Sequence, residues 1–409
     1  MRFFATCAKG TEGALRRELS ALRLHAVRGE RGGVAFEGKL EAGMKVCLHA
    51  RTAMRVLLEL ARFPAPTPEA LYEGARAIDW TEWLTVRTTL AVEANVSSSA
   101  ITHSMFAGLK VKDAAVDVLR DRLGARPDVD PKDPDVAIVL HLARDEATVL
   151  LDLAGEPLHK RGYRAATGIA PLKETLAAAI LLLGGVEPAL PFVDPMAGSG
   201  TLAIEHALRA RRIAPGLGRA FGFQRWPSYR GGPQSAWDRM KAEARAEVLP
   251  HAPAPIVARD LHTKAIEALD RNARAAGVLG DLRIERAEAR DLEPIAPEGT
   301  LVVNPPFGER LMSGAAGEER RGATLERAGA PPRRARATAA AAESPRVLEK
   351  KLTGFYRGFA EMLARQHGWT AVVLSGNPLL EKAIPLRPEV DHRLWNGPLE
   401  AHLLRYRIP

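Results

Sequence analysis

The sequence predicts an α/β protein in which a mainly parallel, helix-covered sheet follows smaller α+β modules. Three observations carry that expectation. From residue 172 onward, short apolar strand-like runs alternate with helical stretches, the pattern of a parallel sheet covered on both faces. Before that point, two shorter stretches mix strands and helices without regular alternation. The length of 409 residues, at roughly 150 residues per domain, divides into about two to three units.

The elements follow in order. Phe3 to Thr6 are β-prone, and Thr11 with Ala14, Leu15, Leu19 and Leu22 suits a capped amphipathic helix. Gly32-Gly33 leads into a strand at Val34-Ala35-Phe36. A second apolar helix is expected from about Met44 to Leu60, ended by the Pro-rich Phe63–Pro68. These elements make a first module, residues 1–65. In residues 66–156, Leu90–Val96 reads as a strand and Lys110–Leu123 as a helix with Val111, Ala115, Val118, Leu119 and Leu123 on one side. Val136–Leu140 and Ala147–Leu153 read as paired strands about a turn at Asp145-Glu146. Nothing there has catalytic spacing, and His103, His141 and Asp145 read as structural or surface residues.

A basic connector, His159-Lys160-Arg161-Gly162-Tyr163-Arg164, opens the third unit, residues 157–409. Helices are expected at Leu172–Leu183, Leu202–Arg212, Thr263–Ala276 and Leu352–Gln366. Strands are expected at Pro191–Asp194, Pro255–Ala258, Leu282–Glu285, Leu301–Val303 and Ala371–Leu374. Ser313–Pro345 is built of Gly, Ala, Arg and Glu without apolar periodicity. It reads as a disordered insertion, with an Arg-rich arm on RNA phosphates as the alternative.

Composition narrows the partners. Hydrophobic residues make up 46% and charged residues 26%, which suits a chain with packed cores. Lys and Arg exceed Asp and Glu by 58 to 49, a surplus of +9 that favours an anionic partner such as nucleic acid. No run approaches the roughly 20 apolar residues of a membrane span. Cys7 and Cys47 are too few for a disulfide scaffold or a Cys-rich zinc site. The N-terminus lacks the apolar core of a secretory signal, so a cytoplasmic location is expected, without membrane, metal or obligate protein partner.

Chemistry concentrates at the expected strand ends. Asp194-Pro195-Met196-Ala197-Gly198-Ser199-Gly200-Thr201 follows a strand and opens a helix, and its glycines allow close backbone approach to a ligand. The loop lacks the Lys of a Walker phosphate site and the full dinucleotide spacing. Asp260 ends the next strand, where ribose-binding doubly wound folds place a carboxylate. Glu288 follows the third strand on the adenine side, with Asp291 competing for that role. Asn304-Pro305-Pro306-Phe307 ends the fourth strand. Two prolines fix a rigid turn, the Asn oxygen and a proline carbonyl can accept the two N–H bonds of an exocyclic amine, and the aromatic ring can stack on a flipped base. Lys160, Arg161 and Arg164 are a plausible phosphate clamp; a solvated linker is the competing reading.

These motifs resemble those of class I S-adenosylmethionine-dependent amino-methyltransferases. Phe3–Gly10, Val111-Lys112-Asp113-Ala114, Leu158–Arg164, Ala170–Thr175, Arg212–Gly216 and Asn396–Glu400 carry the likeness further. They resemble the THUMP-containing 23S ribosomal RNA (guanine-N2)-methyltransferases, in the single-unit form of the RlmL type. The resemblance implies an N-terminal ferredoxin-like module, a THUMP RNA-binding domain and a Rossmann-like methyltransferase domain. It implies S-adenosyl-L-methionine along Asp194–Thr201 with Asp260 and Glu288. It also implies 23S RNA, or a large-subunit precursor, as partner, and a guanine whose N2 is held by Asn304 and the Pro305 carbonyl. The second methyltransferase fused in bifunctional relatives is expected to be absent. Ala197 stands where relatives often have Cys, and the insertion lies beside the target pocket. Adenine N6 and cytosine N4, DNA included, use the same motif. A tRNA guanosine N2 target, or an inactive RNA-binding assembly factor, stays open as well, although the intact motifs oppose the last.

Overall fold

The computed structural model describes residues 1–164, 172–306 and 345–409. Its first sheet has seven strands. In chain order the elements are β1 (Arg2–Thr6), α1 (Glu12–Ala21), β2 (His25–Glu30), β3 (Gly33–Glu37), α2 (Leu40–His49) and β4 (Arg55–Pro64). They continue with α3 (Pro68–Arg76), β5 (Leu90–Ser97), α4 (Ser104–Leu123), β6 (Val136–Ala143) and β7 (Glu146–Asp152). The strand order is β2-β3-β1-β4-β7-β6-β5.

One expected helix is corrected here. The apolar stretch read as a single helix from Met44 to Leu60 divides into α2, which stops at His49, and strand β4. Val56, Leu57 and Leu58 are all buried, because β4 lies between β1 and β7: Leu57 faces Phe4 on one side and Asp152 on the other. A strand buried on both faces reads as a continuous apolar run, which periodicity cannot separate from a helix. Through β4 the N-terminal module and the following stretch share one sheet.

The second sheet is built from α5 (Glu174–Leu183), β8 (Phe192–Asp194), α6 (Thr201–Ala210), α7 (Gly232–Ala246), β9 (Ile256–Asp260) and α8 (Thr263–Ala275). It is completed by β10 (Leu282–Arg286), β11 (Thr300–Val303), α9 (Pro345–Ala364), β12 (Thr370–Ser375), α10 (Pro378–Ala383), β13 (Val390–Asn396) and β14 (Leu399–Arg407). Strand order is β10-β9-β8-β11-β12-β14-β13. The five strands from β10 to β12 are parallel, as the alternation predicts, whereas the terminal hairpin β13–β14 runs antiparallel. The pattern did not announce β13: it is an edge strand carrying Asp391, His392 and Arg393, so its apolar alternation is weak.

The halves are joined at several places among the described residues. The β1–α1 turn docks on β13, where Trp395 N donates to Lys9 O at 3.1 Å and the Lys9 ammonium sits 3.5 Å from the Trp395 ring centre. Gly10 has φ +88, and a Cβ there would lie 2.4 Å from Arg393 O, so only glycine fits. Residues beyond α6 also cross back to the first sheet. Phe221, Phe223, Trp226, Tyr229 and Trp237 belong to the N-terminal core, with Trp226 edge-on to Trp83 at 5.6 Å. Among the described residues, no helix is long and apolar enough to cross a membrane.

Candidate active site

Strand order alone locates the crevice. From β8 the chain moves outward through β9 to β10, then returns to lay β11 and β12 on the opposite side of β8. The reversal falls between β8 and β11, and ligands of open α/β sheets bind outside the carboxyl ends of the strands at such a switch point.

The Asp194–Thr201 loop forms one wall. It is held by Ala197 N donating to Arg259 O at 2.8 Å and Gly198 N donating to Asp260 Oδ2 at 2.9 Å. The Asn272 side-chain amide, from α8, adds a bond to Ser199 O at 3.0 Å. Gly200 caps α6 with φ +87, and a Cβ there would press to 2.7 Å from Leu269. Gly198, at φ +55, has open space where a Cβ would stand, leaving backbone accessible to a ligand. Pro195 belongs to the same loop, which the structure keeps as one unit.

Asp194 is 1% exposed, and its Oδ1 accepts from Met196 N at 3.2 Å. Burial, with a smaller push from Asp260, raises its carboxyl to about 8. Asp194 pairs with Ala258 in register, which sets Asp260 two residues beyond it on the neighbouring strand. Asp260 spends one oxygen on Gly198 N and the other on His262 N at 2.9 Å, so it ties the two loops together. A carboxylate has about four acceptor sites, so both oxygens can still accept from a ligand hydroxyl.

Glu288 caps the single turn Ala289–Asp291 by accepting from Arg290 N at 3.3 Å. The Arg290 guanidinium beside it holds its carboxyl below the usual range. Asp291 is exposed in the same turn. The donor set therefore presents a buried acid, a second acid one strand over and a third beyond it. It fits a ligand bearing a cation, a ribose diol and an exocyclic amine. Among the described residues, no three His, Cys, Asp or Glu side chains group as a metal site.

Asn304 forms the opposite wall. Leu301 pairs with Val193 across β11 and β8, so Asn304 emerges two residues past the level of Asp194. Pro305 is buried and Pro306 half-buried. The Tyr356 hydroxyl, from α9, donates to Pro306 O at 2.8 Å and pins the turn. The sequence expectation missed Tyr356; no motif marks it, and only its place in an apolar helix was readable. Phe307 and the 313–345 insertion lie outside the described residues, apart from Pro345, which begins α9.

The three residues read as a phosphate clamp do not share one exposed surface. Arg161 is buried, its guanidinium donating to Leu158 O at 2.7 Å and to Arg51 O, 3.5 Å from Glu205. Arg164 turns inward to Glu174 at 2.9 Å and Thr201 Oγ1 at 3.4 Å. Lys160 alone is exposed, in a surface pair with Glu156 at 2.7 Å.

Fold and site together define a methyltransferase of the S-adenosylmethionine-dependent class. Residues 161–353 match the RMKL-like methyltransferase domain model, residues 65–152 the THUMP domain and residues 2–57 the RlmL ferredoxin-like domain. The chain belongs to this family of THUMP-containing, RMKL-like methyltransferases. It is 35% identical to the putative RNA methyltransferase slr0064 of Synechocystis sp., covering 99% of this chain and 96% of that one. It is 42% identical to the ribosomal RNA large subunit methyltransferase K/L of Syntrophotalea carbinolica, over all of this chain and 54% of that protein. The chain thus spans about half the length of the K/L relatives it matches. Among solved structures, the putative methyltransferase SMU.472, complexed with SAH, superposes with a TM-score of 0.84 at 28% identity, covering 100% of this chain and 98% of that chain.

Proposed function

We propose that this protein methylates the exocyclic N2 of a guanosine in 23S ribosomal RNA, or in a large-subunit precursor, with S-adenosyl-L-methionine as donor. The single observation that carries the reading is the register that sets Asn304 beside the Asp194 loop, across the switch point, in a chain that also carries a THUMP domain. The K/L name of the long relatives supports ribosomal RNA as the substrate class, and the basic surplus agrees with it.

Bound S-adenosylmethionine supplies a methyl group activated on a sulfonium. The chain's own residues do the rest. Asp194 and Asp260 line the loop, with Asp260 placed for a ribose diol and Glu288, or Asp291, for the adenine edge. The guanine amine is a poor nucleophile because its lone pair is delocalised into the ring. The Asn304 side-chain oxygen and the Pro305 carbonyl accept its two N–H bonds and favour the pyramidal, attacking nitrogen, whose surplus proton passes to solvent once the methyl has exchanged its bond to sulfur for one to nitrogen. The Pro306 carbonyl is already engaged by Tyr356, which leaves Pro305 for the substrate. Phe307 is assigned to stack on the flipped base. Positioning and electrostatics supply the catalysis, and Lys160 remains as an exposed contact for RNA. A cytoplasmic location follows from a ribosomal substrate.

Asn304→Ala tests the assignment. Methyl transfer to ribosomal RNA should fall by at least about a hundredfold, in line with the loss of a donor or acceptor that acts on the reacting atom, while RNA binding persists. Unchanged turnover would remove Asn304 from the chemistry.

A further inference from the structure

Helix α6 begins at the last residue of the cofactor loop, and one face of it is gripped at three successive levels. At its first turn, Arg164 Nη2 reaches Thr201 Oγ1 at 3.4 Å while Arg164 Nε holds Glu174 of α5 at 2.9 Å. One turn on, the Tyr163 hydroxyl donates to Glu205 Oε1 at 3.1 Å, and the Arg161 guanidinium lies 3.5 Å from the same oxygen. At the last turn, Arg51 Nη2 donates to Leu208 O at 3.4 Å and to Ile213 O at 2.7 Å.

These groups are continuous. Arg161 donates to Arg51 O, and the Arg51 and Thr52 amides donate to Glu18 of α1 at 2.8 Å and 3.0 Å. The chain of contacts therefore runs from the N-terminal module through the connector to the helix behind the loop. The Glu205, Arg161 and Glu174 side chains are 0%, 4% and 3% exposed. Buried charges are costly to retain unless paired; here Glu205 is faced by Arg161 and Tyr163, and Glu174 by Arg164. The ties on residues 197–199 named above come from β9 and α8, whereas Arg164 brings its contact to Thr201 from the connector.

We propose that Arg164 and Glu205 are positioning residues for the cofactor loop, acting through α6 as parts of a buried strut anchored in the N-terminal module. The inference rests on the proposed cofactor reading of that loop. It gives the connector a role in place of the phosphate contact expected for Arg161 and Arg164. Side chains that touch neither cofactor nor RNA would then set affinity for the cofactor.

Calorimetric titration of S-adenosylhomocysteine into the full chain, with thermal melts of the same samples, tests it. Arg164→Gln should weaken the Kd by about tenfold, the equivalent of one charge-assisted hydrogen bond, and Arg164→Lys should recover much of the loss. Glu205→Gln should shift the Kd in the same direction. If either Gln variant fails to fold, Tyr163→Phe, which removes one hydroxyl, should still give a smaller weakening. A lowered Tm with an unchanged Kd, measured well below the melt, would overturn the strut. A raised KM for RNA with an unchanged Kd for S-adenosylhomocysteine would overturn it too, in favour of a phosphate contact. Wild-type protein that binds neither S-adenosylmethionine nor S-adenosylhomocysteine would instead overturn the cofactor reading itself.

Discussion

Asp194 carries a strong electrostatic signature at the candidate site. It is a carboxyl with 1% exposure, lifted by burial from 3.8 to about 8. Its folded value lies above its unfolded one, so its contribution to stability is full below pH 3.8 and is lost as pH rises through about 8. Asp194→Asn keeps an oxygen for Met196 N without the charge. Its Tm advantage over wild type, in the absence of ligand, should therefore grow between pH 5 and pH 9; a constant difference would contradict the buried, raised carboxyl. Tyr356 makes a second prediction at this scale. Tyr356→Phe removes the bond to Pro306 O and should cost about 1 kcal/mol of stability. It should also lower kcat while cofactor affinity holds, as steady-state kinetics with S-adenosylmethionine would register. Legibility was uneven among these residues. Asp194, Asp260 and Asn304 stand at strand ends, where local pattern had put them. Tyr356 and Asn272 reach the loops from distant helices, and no local pattern encodes that. For Arg161 and Arg164 the sequence shows a charge but not the carboxylate that the fold brings to it.

At the scale of elements, the parallel strands β8 to β12 and the helices between them follow from the alternation of apolar runs. The errors lie where tertiary partners decide. The run containing β4 is apolar enough for a helix, and only its burial between β1 and β7 makes it a strand. β13 is polar enough for a loop, and only its pairing with β14 and the docking of the β1–α1 turn make it a strand. That docking is testable. In Gly10→Ala, the new methyl must displace the Arg393 backbone from a positive-φ site. It should lose roughly 1–3 kcal/mol in urea unfolding, and an unchanged midpoint would show that the contact is dispensable.

The whole molecule is less divisible than three matched domains suggest. The β4 strand joins the first two through one sheet, and the aromatic segment from Phe221 to Trp237 belongs by sequence to the methyltransferase but by packing to the N-terminal core. Residues 161–409 expressed alone should thus expose that aromatic face, bind hydrophobic dyes and self-associate; a monodisperse, dye-silent fragment would contradict the packing. Such coupling suits an enzyme in which RNA held by one half must deliver a base to the crevice of the other. The most direct test of that account is transfer of labelled methyl from S-adenosylmethionine to deproteinised 23S RNA lacking its native modifications, followed by nucleoside mass spectrometry. The account predicts label in N2-methylguanosine, lost with Asn304→Ala. Label in N6-methyladenosine, or none in any nucleoside of 23S RNA or its large-subunit precursor particles, would contradict it.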